Sequence, residues 1–205
     1  MNYYLSSFKL GKDIKQLKAI LPQNLKTAYV SNALDFAEGE DWVKKFTDDD
    51  ISELEDIGLK PERFDLKRYF DNKPQLEKDL RNYGIIWVSG GNVFVLRQAM
   101  ALSGFDKWLQ RSRKLPNILY GGYSAGACVV CPSLKGLNLV DSTTHHPYGN
   151  SLEIIWEGIG LTDYLIVPHF NSDHPESKAI RKVVKYCNEH GVSYKTIKDG
   201  EAIVI

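Results

Sequence analysis

The sequence has no surplus of charge, no long apolar run and little sulfur. Its 205 residues hold 26 Lys plus Arg against 26 Asp plus Glu, a formal net charge of zero. That balance favours neither nucleic acid nor an anionic membrane as the main partner, because either selects a basic face. No apolar stretch approaches the roughly 18 residues of a membrane helix. The start, Met1-Asn2-Tyr3-Tyr4-Leu5, reaches Lys9 without the apolar region of a signal peptide. The three cysteines are an odd number, which suits a reducing compartment better than a disulfide framework. The expectation is a cytoplasmic protein that is a monomer or homodimer. No internal repeat, low-complexity segment or linker interrupts the chain, and its length suffices for one sizeable core, so residues 1–205 read as a single domain.

What is present is an alternation of strand-like and helix-like runs. It predicts an α/β fold with a mostly parallel central sheet. Strands are expected at Tyr3 to Ser6, Thr27 to Val30, Phe64 to Tyr69, Ile85 to Val88, Asn117 to Tyr120 and Leu165 to Val167. Helical spacing joins Ile14, Leu17 and Ile20, then Val93, Leu96 and Met100, then Ile180, Val183, Val184 and Cys187. Residues 134–160 are polar and irregular, and loops of that length are often functional. Asp199-Gly200 between two β-rich runs predicts a C-terminal hairpin.

Three segments fall at the carboxyl ends of expected strands, where open parallel sheets bind ligands. The first is Gly90-Gly91 after Ile85 to Val88. Its bare backbone can approach a ligand closely and aim an N–H at a developing oxyanion, with Gly90 and Asn92 as substrate contacts. The second is Gly122-Tyr123-Ser124-Ala125-Gly126, which has the G-x-S-x-G spacing of a nucleophile elbow. A sharp strand-to-helix turn exposes the serine, and only small neighbours fit around it. The N–H of Ala125, at a helix N-terminus, is a second oxyanion donor. The plainer reading is a glycine-rich turn whose serine caps a helix. The third segment is Pro168-His169, where His169 would accept and return the serine proton.

Other candidates surround this set. His174 competes with His169 as base, and His145 and His146 lie in the irregular segment. His190 lies at a helix end, where its charge suits the dipole. No set of residues has convincing metal-ligand spacing. The third member of a triad would orient the histidine. Asp141 lies between serine and histidine in chain order, and Glu153, Glu157, Asp163 and Glu201 remain open. Cys128-Val129-Val130-Cys131 has the C-x-x-C form, but a pair of small apolar residues on a buried helix explains it better than redox chemistry.

Taken in order, Val88-Ser89-Gly90-Gly91-Asn92-Val93-Phe94, then Gly122 to Ala127 with Cys131-Pro132, then Pro168-His169-Phe170-Asn171, resemble the dipeptidase E and cyanophycinase family of serine peptidases. The resemblance implies a flavodoxin-like three-layer sandwich, like that of class I glutamine amidotransferases. It implies Ser124 as nucleophile, His169 as base, Gly91 and Ala125 at the oxyanion positions, and an acid for which Asp141 is the nearest carboxylate. It implies a small peptide as substrate and no cofactor. Dipeptidase E cleaves after an N-terminal aspartate held by an arginine downstream of the histidine. Here that region is shortened, and Lys178 or Arg181 takes the role. A lysine there offers a point charge in place of a two-pronged clamp. Two other readings share the motifs: a silent binding module that lost its triad, and an α/β-hydrolase-type esterase. A glutamine amidotransferase is disfavoured, because its nucleophile is cysteine where this chain has Ser124.

Overall fold

A computed structural model describes all residues from Met1 to Ile205. Eight strands and seven α-helices alternate along the chain. The strands are β1 (Asn2–Ser6), β2 (Lys26–Val30), β3 (Lys60–Arg63), β4 (Ile85–Val88), β5 (Leu119–Tyr123), β6 (Leu165–Val167), β7 (Tyr194–Thr196) and β8 (Ala202–Val204). The helices are α1 (Ile14–Ala19), α2 (Asp41–Asp56), α3 (Lys73–Leu80), α4 (Val93–Ser103), α5 (Phe105–Ser112), α6 (Ala125–Cys128) and α7 (Ser177–His190). Six strands form one sheet in the order β3-β2-β4-β5-β1-β8. All its pairings are parallel except β1 with β8. Strands β6 and β7 form a separate parallel pair.

β4 is apolar at every position, and its neighbours β1, β2 and β5 are buried along nearly their whole length, because both faces of the sheet are covered. Alternate residues go to opposite layers. Tyr3, Leu5, Ala28, Val30, Ile86, Val88 and Tyr120 join a core of 38 buried residues with α3, α4, α5, α6 and α7. Tyr4, Tyr29, Ile85, Trp87 and Leu119 face the other way, into a cluster of nine that includes Leu17 of α1 and Leu54 of α2. This is the three-layer, mostly parallel α/β sandwich of the class I glutamine amidotransferase type.

Two expectations need correcting. The strand expected at Phe64 to Tyr69 is a 3₁₀ turn over Leu66–Tyr69, and the strand is β3 just before it. The backbone N–H of Leu66 donates to the side-chain oxygen of Asn32, and that of Lys67 to Asp65, which turns the chain out of the sheet. β3 itself is an edge strand, Lys60-Pro61-Glu62-Arg63, so it carries charge and a proline where a central strand carries β-branched residues. The C-terminal hairpin is absent. β7 pairs with β6 and β8 with β1, so the Asp199-Gly200 turn carries the chain between two sheets. No helix is long and apolar enough to cross a membrane.

Candidate active site

Ser124 sits between β5 and α6 with φ of +48° and ψ of −115°. A non-glycine residue is rarely held there, and such strain is retained where neighbours over-determine it. The neighbours do so by contact. A Cβ on Gly126 would lie 2.3 Å from the carbonyl oxygen of Val88, and one on Gly122 2.9 Å from that of Gly126. The glycines are therefore required by packing, and the serine is forced outward. Ala125 begins α6, whose first-turn N–H groups lack intrahelical acceptors.

Beside the elbow, β4 runs into Gly90-Gly91. Gly91 has φ of +133°, and a Cβ there would lie 2.5 Å from the Ala33 carbonyl oxygen. Asn92 then caps α4, its side-chain oxygen accepting from the N–H groups of Phe94 and Val95.

His169 follows β6 and is 1% exposed. Its Nδ1 lies 2.7 Å from a carboxylate oxygen of Asp199. A carboxylate only accepts, so Nδ1 carries the proton and Nε2 presents its lone pair. Ser7, at the end of β1, locks the pair. Its hydroxyl accepts from the His169 N–H at 2.8 Å and donates to the same Asp199 oxygen at 2.7 Å. The Asp199 N–H donates to the Ser172 hydroxyl at 2.8 Å. Burial pushes the His169 pKa below its ordinary value, aided by His174 and opposed by Asp199. A neutral base is thereby favoured at neutral pH.

Asp141 is not the partner of His169. Its carboxylate accepts from the N–H of Val93 at 2.8 Å, serving beside Asn92 as a second cap of α4. Burial raises its pKa to about 7. Chain order suggested it, but the Asp199-Gly200 turn brings a different carboxylate to the imidazole. Asp199 had no local signal beyond a turn motif, and Ser7 had none.

Ser124, His169, Gly90, Gly91, Asn92 and Asp141 all line one cleft of about 410 Å³, a size suited to a small ligand. Lys178 and Arg181 do not line it. The buried face of α7 is Ser177, Ile180, Val183 and Cys187, which leaves both cations on the solvent side. A neighbouring cleft of about 390 Å³, with Asp35, Asp65, Arg63 and Lys67 in its wall, holds neither Ser124 nor a histidine.

Among the other histidines, His174 stacks on His169 with ring centres 3.7 Å apart and planes 8° apart. Together with Glu176 these rings bring three ligand atoms within 4.8 Å of one another, a grouping that spacing did not reveal. The parallel rings keep their lone pairs in parallel planes, so they do not converge on one ion in this arrangement. His145 packs on Phe36 at the cleft rim, and Nδ1 of His190 lies 2.9 Å from the carbonyl oxygen of Tyr186. Cys128 and Cys131 are buried free thiols, and burial pushes Cys131 up to about 12, so neither is a reactive thiolate.

Comparison with known proteins decides the lineage. The model of peptidase family S51 matches residues 8–205. The chain belongs to peptidase family S51. An uncharacterized peptidase of Listeria monocytogenes is 29% identical over 131 residues, covering 64% of this chain and 60% of that one. One from Listeria innocua is 28% identical over 152 residues, covering 74% and 68%. The matched segments thus span about two thirds or less of these relatives. A crystal structure of a Listeria monocytogenes protein, provisionally named a peptidase E, superimposes with a TM-score of 0.77 at 26% identity, covering 100% of this chain and 93% of that one. A peptidase from an acI-B1 actinobacterium shares the fold, with a TM-score of 0.67 at 15% identity.

Proposed function

We propose that this S51 member is a serine-type hydrolase of small peptides, working through an acyl-enzyme on Ser124. The observation that carries the reading is that a strained, half-buried serine and a buried histidine with an aspartate on its Nδ1 line the same cleft.

The Ser124 hydroxyl attacks the scissile carbonyl carbon while Nε2 of His169 takes its proton. The carbonyl oxygen becomes an oxyanion facing the N–H groups of Gly91 and Ala125. The C–N bond then breaks, and the imidazolium returns the proton to the leaving amine. Water, deprotonated by His169, hydrolyses the ester and restores Ser124. Asp199 stabilises the imidazolium and fixes its tautomer. A positioned base contributes about 10²- to 10⁴-fold and one oxyanion donor about 10²- to 10³-fold. The chain supplies every group these steps require, and no cofactor enters them. An N-terminal aspartate preference finds no support in the cleft, whose lining contains neither Lys nor Arg.

The test is labelling with a fluorophosphonate probe. Stoichiometric adduct on Ser124, lost in Ser124→Ala together with dipeptide hydrolysis, is the expected result. A protein that folds and binds peptide but takes no label is a silent module, and the proposal fails. Turnover of nitrophenyl esters far above that of any dipeptide makes it an esterase.

A further inference from the structure

The cleft that holds Ser124 is walled by Phe8, Phe36, Trp42 and Phe46, with Leu34 and Val140 between. Four aromatic side chains around one nucleophile form an apolar wall, and Trp42 is 45% exposed there although it is among the largest apolar residues. Exposed aromatic surface beside a reactive group is what an apolar ligand side chain covers.

The polar part of the lining is one-signed. It has two carboxylates, Asp141 and Glu176, and three imidazoles, but no permanent cation. Lys9 comes within 5.5 Å of the Phe46 ring centre, yet its ammonium is held by Glu53 at 2.8 Å and Asp50 at 3.4 Å, and it stays outside the cleft. Lys178 and Arg181 face solvent on α7. A substrate carboxylate placed beside Ser124 would lose water, gain no counter-ion and meet a like charge.

Glu176 occupies the telling position. One of its carboxylate oxygens lies 3.9 Å from Nε2 of His169, the nitrogen that must face the reacting serine. In a peptide, the α-amino group is one carbon away from the carbonyl carbon of its own residue. An ammonium group on the acyl side is therefore carried to the neighbourhood of Glu176 whenever that carbonyl reaches Ser124.

We propose that the cleft selects peptides with a free amino terminus and a large apolar, above all aromatic, first residue, with Glu176 pairing to the α-ammonium and the Phe8, Phe36, Trp42 and Phe46 wall taking the side chain. The inference rests on Ser124 being the nucleophile, but its binding arm does not need turnover.

Two experiments separate the claims. First, Ser124→Ala protein is titrated calorimetrically at pH 6.5, where the peptide α-amino group is protonated, with Phe-Ala, Asp-Ala and N-acetyl-Phe-Ala. Phe-Ala should bind at least about tenfold more tightly than either other peptide, which corresponds to about 1.4 kcal/mol. Equal or tighter binding of Asp-Ala overturns the inference. Second, wild type and Glu176→Gln are compared on Phe-p-nitroanilide and its N-acetyl form. Glu176→Gln should raise KM for the free amine about tenfold more than KM for the acetylated substrate, whereas a merely structural role moves both alike and overturns the role of Glu176. Failure of Ser124 to take a fluorophosphonate in wild type defeats the hydrolase reading instead, and the titration still decides the preference of the cleft.

Discussion

Asp199 and His169 meet at 2.7 Å through a turn that joins two different sheets, and Ser7 of a third segment bonds to both. The base of the proposed hydrolase is thus oriented by residues from the first and last parts of the chain.

This pairing separates two aspartates by experiment. Asp199→Asn should keep the fold and lower kcat about 10³- to 10⁴-fold, because an amide can stabilise the wrong tautomer and leaves the imidazolium unpaired. Asp141→Asn should retain most activity, since an amide oxygen still accepts from Val93. It should also be more stable than wild type at pH 8. With its pKa raised to about 7, folded Asp141 holds a proton that the unfolded chain releases near pH 4, so its ionisation costs stability as pH rises through that window. Steady-state kinetics and thermal unfolding of both variants check this. An inactive Asp141→Asn beside an active Asp199→Asn would reverse the assignment.

The acid limb of the pH profile should report His169. Its pKa is lowered, chiefly by burial. kcat/KM should therefore rise to a plateau with an apparent midpoint below the ordinary imidazole value of about 6.5. The same shift makes the unfolded chain the better proton binder, so this group's contribution to stability is present above about pH 6.5 and is lost as pH falls through the folded pKa. A midpoint at or above 6.5 contradicts the environment described for the ring.

Ser7→Ala should act through its two partners. It leaves a buried His169 N–H without an acceptor, at a cost of about 1–3 kcal/mol. It also frees Asp199 on one side. Reduced kcat with little change in KM is expected, with Ser7→Thr recovering part of it. A kcat unchanged in Ser7→Ala removes Ser7 from the positioning network.

Gly126→Ala tests the elbow. Its Cβ would meet the Val88 carbonyl oxygen at 2.3 Å, a backbone contact that cannot rotate away. Overpacking of that kind costs about 1–3 kcal/mol, and the melting temperature should fall by about 2–4 °C for each. Activity should drop with it, because β4 and the elbow are pushed apart. A variant as stable and active as wild type would show that the glycine is not a packing requirement.

Much of this was open to reading along the chain. Ile85 to Val88 and Leu165 to Val167 are apolar at every position because helices cover both faces, and that pattern is local. The elbow declares itself because small residues are needed within five positions of one another. His169 could be placed because it directly follows such a strand. The edge strand β3 escaped notice for the opposite reason: exposed and charged, it looks like loop.

Sequence alone determined the mostly parallel α/β sheet, the serine at one strand end and the histidine at another, since each depends on periodicity or steric room within a few residues, while the three-layer sandwich was implied by the family resemblance. Only the tertiary structure decided which acid serves the histidine and what walls the cleft. Asp199, Ser7, Glu176 and the four aromatic rings come from separate loops and helices, and their meeting is set by how β1, β6 and the last turn pack. Chain order favoured Asp141, which a helix terminus occupies, over Asp199, because order along the chain does not report the distance in space on which a hydrogen bond depends.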